Sequence, residues 1–233
     1  MTEEIYPRIL VGVPLGKYMN TLPFTAFWNI AKRGYPIIES LPPDRCDVQR
    51  NIMGGIAANT NATHLCLLDA DHIHPQDVVE RFARYVIEDR EKKVICGFQY
   101  RRCAPYNPCV YVRGEDDNYY WVHERPEEEL IEVDGVSAAS ILINVDIFRN
   151  IPAPWWRYTY DHANEHKYPG TDGWFSQLMR DNDVRMYCDT TVTSPHLDNT
   201  AVITQKTYEN YCKLEKRAND GVVYADVKTK INV

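Results

Sequence analysis

Two carboxylates one residue apart, Asp69 and Asp71, close the apolar run His64-Leu65-Cys66-Leu67-Leu68. A short buried strand gains nothing from ending in Asp-Ala-Asp, because burying an ionised carboxylate is costly without a cation or donors to meet it. At the C-terminal edge of an open α/β sheet, however, a strand end borders the usual ligand crevice. Two carboxylates there suit a hard divalent cation, which in turn holds phosphate oxygens. The chemistry implied is the handling of a phosphate-activated substrate. The bland alternative is an acidic loop capping the helix expected after Pro75.

Other residues along the chain carry chemistry of the same kind. Asp172 lies in Gly170-Thr171-Asp172-Gly173, the approach to a helix, and suits either a general base or an ordinary N-terminal carboxylate. His196, in Thr193-Ser194-Pro195-His196-Leu197, is a candidate metal ligand or a turn histidine. His72 and His74 flank the paired aspartates and read as helix-entry residues rather than ligands. The segment Pro152-Ala153-Pro154-Trp155-Trp156, with Tyr158 and Tyr160, offers flat rings for stacking on a sugar or a base, or else anchors a loop to the core.

The elements that must position these residues follow from periodicity and turn chemistry. Arg8-Ile9-Leu10-Val11-Gly12-Val13-Pro14 reads as a fully buried first strand. Residues 21–33 predict a helix stopped by Gly34, and 36–39 a second strand. Asp44 is placed as N-cap of a helix through 59, with Gly54 and Gly55 inside it for close packing against the sheet. Residues 65–68 form the strand that delivers the aspartates, 75–90 a helix, and 94–98 another strand. This alternation predicts a parallel sheet covered by helices.

Beyond residue 100 the pattern changes. Residues 108–122 predict a hairpin around Gly114-Glu115-Asp116-Asp117-Asn118, and 140–145 a strong strand. Residues 174–180 predict a helix, 184–187 a last strand, and 204–218 a closing polar helix, with 161–168 a flap over the acceptor side. The expectation is one α/β domain over 1–233: residues 1–100 bind the donor, 101–200 face the acceptor, and 201–233 form a helix and tail.

Composition narrows the function classes. A net charge of −7 gives no broad basic surface for nucleic-acid phosphates and argues against docking on anionic membranes. No apolar run approaches the roughly 18 residues of a membrane span. The acidic start, Met1-Thr2-Glu3-Glu4, does not read as a secretory leader. Seven cysteines with no C-x-x-C pair fit a reduced, cytoplasmic compartment and lend little to a cysteine zinc site.

Taken in order, the N-terminal strand, Arg50-Asn51 in a helix, Asp69-Ala-Asp71 after a buried strand, Gly-Thr-Asp172-Gly-Trp-Phe and His196 resemble GT-A-fold glycosyltransferases, family 2-like members in particular. The resemblance runs from about Arg8 to Asn199. It implies a GT-A (Rossmann-like) domain with a mostly parallel central sheet and a smaller antiparallel face. It also implies transfer of a sugar from a nucleotide-diphosphate sugar, UDP foremost, to a hydroxyl acceptor: carbohydrate, protein, metabolite or modified DNA base. Asp71 would be the main ligand of Mn²⁺ or Mg²⁺, with His196 beside it and Asp69 on the ribose or completing the metal shell. Val13, Pro14 and Arg50 would border base and phosphates, and Asp134, before Gly135, would meet donor-sugar hydroxyls unless it is only a turn residue. Asp172 would be the base of an inverting reaction, although Thr171 stands where such enzymes commonly carry Glu. Trp155 and Trp156 would stack the acceptor.

Two other functions stay open. A nucleotidyltransferase would normally carry a Gly-rich basic loop after the first strand, which Gly12-Val13-Pro14-Leu15-Gly16-Lys17 imitates poorly. A non-catalytic nucleotide- or sugar-binding module of the same fold is the other.

Overall fold

The computed structural model describes residues 6–39, 45–116, 118–158, 170–198 and 201–215. Its elements run β1 (Ile9–Val13), α1 (Thr21–Ala31), β2 (Ile37–Glu39), α2 (Cys46–Ala58), β3 (His64–Leu68), α3 (Val78–Glu88) and β4 (Val94–Gly97). There follow β5 (Tyr111–Arg113), β6 (Tyr119–Trp121), β7 (Leu130–Val133), β8 (Ser140–Asn144), α4 (Asp146–Asn150) and α5 (Gly170–Asp181). The last are β9 (Met186–Asp189), β10 (His196–Asp198), β11 (Ala201–Ile203) and α6 (Gln205–Glu215). Asp44, Tyr160, the expected flap at 161–168 and the tail beyond 215 lie outside the described residues.

A seven-stranded sheet of order β2-β1-β3-β8-β4-β9-β7 forms the centre. The β1 pairings with β2 and β3 are parallel, as is β4 with β9, whereas β8 is antiparallel to both β3 and β4, and β7 to β9. Five strands therefore share one direction, and β7 and β8 oppose it. Two small antiparallel pairs, β5-β6 and β10-β11, lie outside this sheet. The fold is one α/β domain with a mostly parallel sheet and a smaller antiparallel part, as expected.

The central strands are buried on both faces, which explains why they read as continuous apolar runs rather than alternating ones. Leu65 and Leu67 of β3 join Met53 of α2, Ile141 and Ile143 of β8 and Phe175 of α5 on one side. Cys66 and Leu68 join Phe27 of α1, Phe82 of α3 and Leu142 on the other. Gly12 is required by this closeness: a Cβ there would lie 2.8 Å from Leu67 Cδ2.

Helix α1 is capped in the ordinary way, whereas α2 has Arg45 rather than the expected Asp44 at its N-cap and no side-chain cap hydrogen bond. Asn20 Oδ1 accepts from the Leu22 N–H at the start of α1, and Gly34 takes a φ of +86° just past its end. The helical glycines differ from expectation. Gly54 packs against the rings of Trp155 and Phe148, not against the sheet, and a Cβ on Gly55 would meet nothing within 4 Å. The strand expected at 184–187 is β9, and it is not the last, since β10 and β11 follow it. All seven cysteines are free thiols, with Cys66, Cys96 and Cys188 buried. Among the described residues no helix is long and apolar enough to cross a membrane.

Candidate active site

Strand β3 ends where the Asp69 N–H donates to the Ala139 carbonyl, 2.8 Å away, at the start of the reversed strand β8. The chain then turns, with the His72 N–H reaching the Asp69 carbonyl. Residues 71–73 next lie along 195–197: the Leu197 N–H donates to the Asp71 carbonyl and the Ile73 N–H to the Pro195 carbonyl, both at 2.9 Å. This short antiparallel contact carries His196 to Asp71 from 125 residues away.

Asp71 faces two imidazoles. Its Oδ1 accepts from His72 Nδ1 at 2.9 Å, and its Oδ2 lies 3.1 Å from His196 Nε2. The two rings stack with centroids 3.9 Å apart. Burial works to raise the Asp71 pKa, but the contacts with His196 and His72 hold it well below the usual carboxylate range. His196 Nδ1 lies 3.2 Å from the Tyr100 carbonyl, so both of its nitrogens meet atoms that only accept. Such an imidazole, fixed through Nδ1–H, directs Nε2 at the carboxylate, where a proton or a metal ion must stand between them. Asp71, His72 and His196 bring their ligand atoms within 4.8 Å of one another, and the mixed oxygen and nitrogen donors fit a divalent ion such as Mn²⁺.

His72 therefore belongs to this cluster, not to a helix entry. His74 does not, because its Nε2 meets the Asp69 carbonyl at 2.9 Å and its Nδ1 the Ser194 hydroxyl at 3.0 Å. Burial, aided by the His72 charge, lowers its pKa to about 3.

Asp69 has a different environment from Asp71. Both its oxygens accept from Arg50 Nη2, at 2.9 and 2.7 Å, and it is not part of the three-residue cluster. Arg50 in turn donates through Nη1 to Asp172 Oδ1 at 2.8 Å. The guanidinium is only 4% exposed; burial opposes its charge, but the two carboxylates keep it firmly protonated. Asp172 Oδ2 also accepts from the Ala138 N–H at 3.0 Å, and Thr171 Oγ1 reaches Oδ1 at 3.3 Å. Arg50 thus joins α2, the end of β3 and the first turn of α5.

A cleft of about 490 Å³ opens over this edge, lined in part by Pro14, Tyr18, Arg50, Asp69, Asp71 and Arg102. Val13 is buried at the end of β1, and its neighbour Pro14 borders the cleft. Arg102 Nη1 lies 3.7 Å from Asp71 Oδ2. The sequence reading did not single out Arg102, although a basic pair, Arg101-Arg102, just beyond β4 is a signal for this edge.

Three expected residues stand elsewhere. Asp134 Oδ2 accepts from the Arg113 N–H at 2.7 Å, which ties β7 to the β5 hairpin and supports the turn role. Trp155 and Trp156 are 6% and 1% exposed, which leaves no ring face for an acceptor. Trp156 stacks on Phe175 with centroids 4.7 Å apart, and Trp155 Nε1 donates to the Ile151 carbonyl. Asn51 Oδ1 receives the Trp155 N–H at 2.7 Å, so these rings anchor the loop to α2. Among the described residues of this segment, Tyr158 is the exposed aromatic.

The fold and site together define an α/β protein with a carboxylate–imidazole cluster at the crevice end of its sheet. A197 from STIV shares that fold, at 18% identity and a TM-score of 0.60 over 94% of this chain and 98% of that one. CMP:2-keto-3-deoxy-manno-octonic acid synthetase, solved with CTP, aligns at 9% identity and a TM-score of 0.47 over 90% of this chain and 98% of its own. Inositol-1-phosphate CTP transferase from T. maritima aligns at 11% identity and 0.48 over 93% and 98%. At such identities the likeness concerns fold alone. No protein-family model matches the chain, and no curated protein sequence does.

Proposed function

We propose that this chain is a divalent-metal-dependent glycosyltransferase of GT-A type, family 2-like, that moves a sugar from a nucleotide-diphosphate sugar, UDP-sugar foremost, to a hydroxyl acceptor. The observation that carries the reading is Asp71 set between His72 and His196 in a crevice that also holds Arg102. Asp71, His72 and His196 would hold Mn²⁺ or Mg²⁺, which when bound supplies Lewis-acid neutralisation of the departing diphosphate. Arg102, beside Asp71, adds a second positive charge on the same side.

Asp69, fixed by Arg50, turns a rigid acceptor group toward the ribose hydroxyls of the donor. Asp172 receives the acceptor proton as the new bond forms, in a single inverting displacement. Arg50 and the Ala138 N–H hold that carboxylate in place, with its side chain 26% exposed. Pro14 and Tyr18 also line the cleft and suit the base.

The test is a donor screen with Mn²⁺ and a panel of nucleotide sugars, read as slow hydrolysis and as release of nucleoside diphosphate. Release of pyrophosphate from a nucleoside triphosphate and a sugar phosphate would instead identify a nucleotidyltransferase. Binding of nucleotide with no turnover of any donor would identify a non-catalytic module.

A further inference from the structure

Helix α1 is apolar over most of its circumference, with one narrow polar stripe of Thr21, Thr25 and Asn29 on its outer side. Pro23, Ala26, Phe27 and Ile30 face the core, yet Leu22, Phe24 and Trp28 on the outer side are 52%, 54% and 55% exposed. A helix with this pattern is normally covered on both sides, and clustered exposed aromatics on a soluble domain mark a contact surface. Phe24 and Trp28, one turn apart, stack with ring centroids 6.2 Å apart. Tyr18, 84% exposed, extends the apolar surface to the lip of the cleft.

The charged side chains that this segment itself carries have one sign. Lys32 Nζ lies 5.6 Å from the Trp28 ring centre, and Lys17 Nζ lies 5.5 Å from that of Tyr18. No Asp or Glu occurs between Glu4 and Glu39, in a chain whose overall charge is −7. Arg33, past the helix end, is already paired with Glu80.

We infer that the outer face of α1 docks on an anionic lipid surface, with Phe24 and Trp28 entering the interface and Lys17 and Lys32 meeting headgroup phosphates. Aromatic rings flanked by lysines fit that boundary, and each lysine adds attraction to acidic lipid. The overall negative charge does not oppose this, because charges beyond a Debye length of about 8 Å are screened at physiological salt.

Two other occupants fit less well. A second copy packed through the same face would oppose lysines with lysines and offer no acidic residue of this face to meet them. A glycan needs side chains that read hydroxyls, and two of the few polar groups here are already engaged: Asn20 Oδ1 by the Leu22 N–H and the Thr25 hydroxyl by the Thr21 carbonyl. Because Tyr18 belongs to both the face and the cleft, docking would present the cleft mouth to the membrane.

The experiment is co-sedimentation with vesicles of phosphatidylcholine alone or with phosphatidylglycerol, together with quenching of tryptophan fluorescence by brominated acyl chains. Binding to the phosphatidylglycerol vesicles with quenching is expected, and Trp28→Phe should remove most of the quenching while binding persists. The double variants Phe24→Ala/Trp28→Ala and Lys17→Glu/Lys32→Glu should each bind at least about tenfold more weakly. Their melting temperatures and Mn²⁺ binding serve as folding and site controls, so loss of docking is distinguishable from failure of the transferase reading. No binding to anionic vesicles, or equal binding by the double variants, would overturn the inference. So would a concentration-dependent dimer, or retention on a neutral glycan, that the aromatic double variant abolishes.

Discussion

Arg50 and Asp172, 122 residues apart, are joined by a 2.8 Å hydrogen bond at the start of α5. The same guanidinium holds Asp69 through its other terminal nitrogen. One buried cation therefore sets the spacing of two carboxylates on different elements. Its planar fork does this in a way that a lysine ammonium does not reproduce.

The base role of Asp172 is tested by Asp172→Asn. Asn keeps the size of the side chain and its acceptor oxygen but loses the basic one. The variant should stay folded, bind metal and nucleotide nearly normally, and transfer sugar at least about 10²-fold more slowly. The wild-type product should carry the anomeric configuration opposite to the donor's. Near-normal turnover by the variant would remove Asp172 as the base, and a retained configuration would reject the single displacement.

The proposed metal role of His72 is tested by calorimetry. His72→Ala and His196→Ala should each weaken Mn²⁺ by calorimetry by at least the roughly 10–100-fold that even outer partners command. Asp71→Asn should weaken it further, whereas Asp69→Asn should spare most of it. Equal Mn²⁺ affinity in wild type and His72→Ala would exclude that imidazole from the site.

Stability should fall in mild acid. His64 is fully buried, with Thr63 Oγ1 2.9 Å from Nδ1, and burial lowers its pKa to about 4. In the unfolded chain the same group titrates near 6.5, so between the two values the unfolded state binds the extra proton. Its contribution is complete above pH ~6.5 and declines by about 3 kcal/mol as the pH falls to ~4. Denaturant melts across that window should show the decline, and His64→Gln should flatten it. An unchanged slope in the variant would rule His64 out as the source.

Trp156→Ala should unfold the protein more readily by about 3–5 kcal/mol, the cost of emptying a large aromatic site. An altered acceptor KM with normal stability would instead return this ring to the active site.

The paired aspartates were conspicuous because an apolar strand ending in Asp69 and Asp71 needs donors or a cation to meet the carboxylates, and the structure supplies Arg50 to one and two imidazoles to the other. The alternation of β1 through β4 with helices was legible because each strand is a short apolar run closed by turn residues. Strand β8 was recognisable as a strand, but its direction was not, because a run buried on both faces looks the same either way. The pair β10-β11 escaped notice: its segments have three residues each and little burial to impose a pattern. His72 was hidden because its role depends on His196, which the chain brings to it only through the contact between 71–73 and 195–197. The tryptophans misled because composition reports aromatic rings without saying which way they face.

The reversed course of β8 bears on how far the chain can be divided. Strands β3 and β4 do not touch; β8 lies between them and supplies a partner edge to each. A fragment ending at residue 100 would leave one edge of β3 and both edges of β4 without hydrogen-bonding partners, since β9 is also missing. The stretches before and after residue 100 are thus not separable modules. A split protein would regain its sheet only when the second piece inserts a strand into the middle of the first.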